Sequence, residues 1–143
     1  MAISEAKVSS ATADGAREEL QEYNHGAIAA AKASGTSLPL DLKAPDSLAK
    51  LQKAYSEFRT AFQELHPEAT LRHPRPVLFL SRPPMHKASP HGVSACLALG
   101  KIGGGDAEEL NKGHAFVWEE GEKQEFGDVD AIYVGFKVEQ LSA

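Results

Sequence analysis

Cysteine, tryptophan and methionine are scarce in this chain: one, one and two among 143 residues. A single thiol, Cys96, excludes an internal disulfide framework and a cysteine-based zinc knuckle, and it fits a reducing compartment. Long apolar runs are also missing. The longest, "PVLFL" and "ACLAL", fall far short of the roughly 18 residues that cross a bilayer, so no membrane partner is expected. The N-terminal "MAISEAKVSSATADGAREEL" has no basic region followed by an apolar run, the pattern of a secretory signal. The expected location is therefore cytoplasmic, or a particle assembled in the cytoplasm.

Catalytic signatures are missing too. The histidines match no HExxH, no finger spacing and no local 2-His-1-carboxylate pattern, so no metal is expected. "GKIGGGDAEE" has the glycines of a phosphate loop but neither GxxxxGK[ST] nor GxGxxG, and Asp106 with two glutamates would repel a phosphate from the start of a helix. No GxSxG elbow is present, and Cys96 lies between small apolar residues, where a thiol packs inertly. No cofactor is called for, and the chain is expected not to be an enzyme.

What is present reads as one domain. Hydrophobic residues make up 42% and charged residues 24%, the balance of a globular chain, and the length suits a single core. Residues 1–12 are small and polar, the composition of a flexible arm that orders only when something holds it. From Ala13 onward Ala16, Leu20, Tyr23, Ala27 and Ala30 recur at helical spacing, with Gly35 placed to end the helix. Between Pro45 and His66, Leu48, Leu51, Tyr55, Phe58, Phe62 and Leu65 form a narrow seam, capped by Asp46 or Ser47 and stopped by Pro67.

After residue 75 the period changes to two. Strands are predicted at 77–81 and 92–102, then a hairpin of "HAFVWEE" and "KQEF" turning at Gly121. A final strand places Ile132, Val134, Phe136 and Val138 on one face. Trp118 and Tyr133 suggest a cross-strand aromatic pair. Helices at 13–66 followed by strands at 76–141 predict an α+β domain over 13–143: two N-terminal helices packed on a C-terminal, mostly antiparallel sheet of four or five strands.

Charge is segregated along the second half of an acidic chain of formal net charge -5. Residues 72–91 hold Arg72, Arg75, Arg82 and Lys87 with five prolines and no acid, whereas residues 106–130 hold nine acids against Lys112 and Lys123. Four cations beside so acidic a segment would neutralise few phosphates, which argues against a nucleic-acid partner. Protein subunits fit better, the chain itself among them. The candidate contact residues are Arg72, Arg75, Arg82, His86, Lys87 and His91 on the basic side, and Glu119, Glu120, Glu122 and Glu125 on the acidic side. Either the basic loop of one copy meets the acidic segment of the next, or the two neighbour each other within one molecule.

These features predict a non-enzymatic structural or assembly protein, most concretely a small accessory subunit of a particle such as a virion or phage head or tail. A small enzyme or ligand-binding domain with a cleft near His86 and His91 is the alternative, and an inhibitor or adaptor docking one target is a further one.

Overall fold

The computed structural model describes residues 2–34, 40–79, 85–88, 94–102, 112–118, 123–126 and 130–140. Strand β1 (Ala2–Lys7) leads into helices α1 (Ser10–Tyr23) and α2 (His25–Ser34), followed by a two-residue strand β2 (Leu40–Asp41) and helix α3 (Ala49–Leu65). The remaining described elements are strands: β3 (Ala69–Phe79), β4 (Met85–Ala88), β5 (Ser94–Lys101), β6 (His114–Trp118), β7 (Lys123–Phe126) and β8 (Ala131–Gln140). Six strands form one antiparallel sheet in the order β1-β6-β5-β8-β3-β2, and β4 pairs with β7 in a separate ribbon. The class is α+β as expected, with a third helix and a larger sheet than anticipated.

Most departures from the sequence reading have a local cause. The segment read as an arm supplies β1 and the first turn of α1; β6 holds β1 through the pairs Ala2↔Val117, Ile3↔Phe116 and Ser4↔Ala115. Helix α1 starts earlier than Ala13 because Ser9 caps it, its Oγ accepting from the Thr12 N–H. The long first helix is broken at Asn24. That side chain donates to the carbonyls of Leu20 and Lys43 and accepts from the Lys43 N–H, tying the connector after β2 to the break. Gly35, the expected stop, lies outside the described residues.

Helix α3 keeps its seam: Leu51, Tyr55, Phe58 and Phe62 are buried, while Leu65 at its end is 44% exposed. Its cap differs from the expected Asp46 or Ser47. Those residues form a turn before Leu48, and the carboxylate of Glu19 on α1 accepts from the Leu51 N–H at 2.8 Å. A first-turn N–H is thus satisfied from the neighbouring helix.

Strand β3 runs from Ala69 to Phe79, so it starts well before the strand predicted at 77–81 and includes Pro74 and Pro76. A bulge between Arg72 and Arg75 absorbs Pro74, with His73 at φ 54. The Pro76 carbonyl accepts from the Leu42 N–H, so its ring nitrogen points to the short β2 side of the strand, where few ladder donors are needed. The expected hairpin of residues 114–120 with 123–126 does not form. Both edges of β6 are taken, by β1 and β5, and β7 pairs with β4 instead.

The sheet has two apolar faces. Leu71, Leu78, Ala95, Leu97, Leu99, Ala115, Ile132, Val134 and Phe136 share one core with α1, α2 and α3. Phe136 packs edge-on to Tyr55 and tilted against Phe58 at centroid separations of 5.6 and 5.2 Å. The opposite face carries a second cluster of Val77, Phe79, Cys96, Phe116 and Tyr133, which contains no described helical residue.

Candidate functional site

The two described arginines of the basic segment lie at the surface and form ion pairs within the chain. Arg75 forms a two-pronged ion pair with Asp41 of β2, Nε to Oδ1 at 2.8 Å and Nη2 to Oδ2 at 2.9 Å, and this hydrogen-bonded partner holds the guanidinium charge more firmly than usual. Arg72 reaches Glu139 of β8 at 2.8 Å. The carboxylates facing these two arginines therefore come from β2 and β8, outside the acidic segment.

His86 and Lys87 lie on β4 and Glu125 on β7, where the register sets His86 opposite Glu125 and Lys87 opposite Gln124. The ribbon thus joins basic and acidic segments within one chain. Arg82, His91, Glu119, Glu120 and Glu122 lie outside the described residues, as does Asp106. Among the described residues no three of His, Cys, Asp or Glu gather to hold a metal ion. Tyr133 has Phe79 as a ring partner, edge-on at 5.8 Å, and its register partners are Val77 and Ala98, whereas Trp118 is in register with Ser94.

The most unusual polar arrangement is one that sequence reading misses. Arg17 and Lys112 are 3% and 6% exposed, and both bond the same oxygen, Oδ1 of Asp14, at 2.5 and 2.9 Å. Arg17 also donates from Nε to Gln21 and from Nη1 to the Leu99 carbonyl at the end of β5. Burial would raise the Asp14 pKa, but the hydrogen bonds and charges of Lys112 and Arg17 outweigh it and hold the carboxyl below its usual range. Beside this clasp Gly113 accepts from Val8 N–H and donates to the Ala98 carbonyl, both at 2.8 Å. At φ +84, with the Val8 oxygen 2.6 Å from where a Cβ would lie, only glycine fits there.

One readable sign of the clasp was Arg17 itself, a charge on the stripe of Ala13, Ala16 and Leu20. Lys112 carried no such sign, because its partner is 98 positions away in the chain.

A cavity of about 550 Å³ lies between the start of α1 and α3, lined by Ser9, Thr12, Asp14, Glu18, Lys50 and Lys53 among others. Its lining mixes both charge signs, and its place differs from the cleft expected near His86 and His91. Deeper in the helical layer, the Tyr55 hydroxyl is buried with no hydrogen-bond partner among the described residues, and burial pushes its pKa up to about 12 against the opposing charge of Arg59. No described helix is long and apolar enough to cross a membrane. Compared with protein families, curated proteins and solved structures, the chain matches none.

Proposed function

We propose that the chain is a non-enzymatic structural or assembly protein that binds protein subunits, copies of itself included, as a small accessory subunit of a larger particle such as a virion or phage head or tail. The observation that supports this reading is the β4–β7 ribbon. Each strand has four residues, and neither outer edge pairs with another described strand. A two-stranded ribbon is marginal alone in water and gains from a neighbour, and an open strand edge can accept a strand from another chain. It is also where the basic segment meets the acidic one, with His86 opposite Glu125. Two copies can exchange the same complementarity between molecules.

The test is the mass of the purified chain by light scattering from low to roughly molar ionic strength, where surface attraction is screened. Self-association that falls with salt, and that Glu125→Lys weakens, is the expected result. A monomer at every salt concentration refutes self-assembly. That outcome would favour a second reading, a ligand-binding domain, for which the α1–α3 cavity and its Lys50, Lys53 and Ser9 lining are the supporting observation.

A further inference from the structure

We infer that helix α2 is a detachable cover on the helical side of the core: it opens as a unit, hinged at Asn24, while α1, α3 and the six-stranded sheet stay folded. The first support is how little α2 buries. Of its ten residues Ile28 and Ala31 are buried, at 7% and 9% exposure, and the other eight are exposed. By comparison α1 buries Ala13, Ala16, Arg17 and Leu20, and α3 buries Leu51, Ala54, Tyr55, Phe58 and Phe62. One isoleucine and one alanine are a small anchor for ten ordered residues, and a helix that short is marginal in water without tertiary packing.

Polar contacts do not make up the difference. The His25 ring meets the Glu22 carbonyl, and the Ser34 hydroxyl donates to the Ala31 carbonyl, each within a turn of its own position in the chain. Toward another element α2 extends the Lys32 ammonium, 3.4 Å from Asp130 just before β8. Both side chains are partly exposed, and an ion pair in that setting contributes little. Gly26, in the first turn of α2, lowers helix propensity further, and a Cβ placed there meets no described atom within 4 Å.

The ends of this stretch of chain are clamped independently of α2. Asn24, buried, donates to the Leu20 and Lys43 carbonyls at 2.9 Å and accepts from the Lys43 N–H at 2.8 Å. The chain therefore leaves α1 and returns to the connector after β2 at one buried point. Just before that return β2 pairs with β3 through Leu40↔Leu78 and Asp41↔Val77. None of these bonds involves an α2 residue. Opening of α2 thus pulls on neither α1 nor the sheet. Few buried side chains between two fixed ends make a unit that opens locally, below the cost of global unfolding. The open state uncovers the part of the core that Ile28 and Ala31 seal, and a ligand that prefers this state can select it. This inference is independent of the assembly reading.

Native-state amide hydrogen exchange, read residue by residue by NMR on the full chain, tests it. The amides of Ile28 to Lys32 should share one level of protection, at least tenfold below that of Tyr55 to Phe62 in α3, and should change little in low urea. Ala30→Pro removes a helical hydrogen bond at an exposed position. It should abolish protection in α2 while a cooperative urea transition and protected amides in α3 and β8 remain. Protection in α2 as high as in α3, and falling with it in urea, would overturn the proposal however the proline variant behaves. Loss of the cooperative transition in Ala30→Pro would overturn it as well, because the rest of the domain would then depend on α2.

Discussion

Removing the Asp14 carboxylate should destabilise the fold well beyond the cost of an ordinary surface substitution. Arg17 and Lys112 both bond Oδ1 of Asp14, so their charges lie within about 5 Å of each other. In Asp14→Ala they face each other with no shared anion while remaining almost fully buried. Coulomb repulsion at that separation is about 3 kcal/mol for an effective dielectric near 20. Breaking a buried ion pair from one side costs about 3–5 kcal/mol, but Asp14 is 36% exposed and water can enter its place, which brings the expectation to about 2–4 kcal/mol. Against a stability of roughly 5–15 kcal/mol for such a domain, the variant should fold and have a visibly lower urea midpoint. The double variant Asp14→Ala, Lys112→Met removes one of the two cations and should recover at least half of the loss. The assay is equilibrium urea unfolding of the wild type, both single variants and the double. A loss under about 0.5 kcal/mol for Asp14→Ala, or no recovery in the double variant, would refute the view that this carboxylate neutralises two buried charges.

What the sequence made legible follows the range of the interactions involved. The α3 seam and the alternation of β8 were readable because Leu51, Tyr55, Phe58 and Phe62, and Ile132, Val134 and Phe136, all serve one large core, and burial imposes its period on the residues that line it. Strand β3 was readable only at its end, 77–79, because the prolines before it contradict an interior strand. They are tolerated by a bulge and by the short partner β2, neither of which leaves a sequence mark. The pairing of β7 with β4 was hidden for a different reason. Two nearby segments separated by a glycine suggest a hairpin, but β6 had already used both its edges on β1 and β5, and competition among strands for edges is settled only in the whole sheet. Of the candidate site, the arginines of the basic segment could be named, but their partners Asp41 and Glu139 could not, because each lies tens of residues away. The clasp of Asp14, Arg17 and Lys112 had half a signature: a guanidinium on an apolar stripe says that an anion is near without saying what else shares it.

Four further outcomes are expected. Tyr55→Phe removes a buried hydroxyl that has no partner among the described residues and should be neutral or stabilising by up to about 1 kcal/mol in urea unfolding; a loss above about 1 kcal/mol would mean the hydroxyl is bonded. Phe58→Ala opens the centre of the helical layer and should cost about 3–5 kcal/mol by the same measurement, and a near-neutral result would place that face outside the core. Gly113→Ala should cost about 2 kcal/mol or more, because it forces a side chain into left-handed backbone against the Val8 carbonyl, whereas Gly135→Ala should change stability by less than about 0.5 kcal/mol; similar losses at both would contradict the geometry of the two positions. The last concerns acid. The folded state holds the Asp14 carboxyl below its usual range, so the unfolded chain takes up that proton first as pH falls. Its contribution is therefore complete above an unfolded value of about 3.9 and disappears as pH drops through the lower folded value. Thermal unfolding of wild type and Asp14→Asn, followed from pH 7 down to pH 2, should show a constant gap that closes only below about pH 4. A gap that begins to close near neutral pH would assign the clasp's charge balance to another group, and a gap that widens in acid would reverse the sign of the coupling and with it the role of Asp14 as the anion between two buried cations.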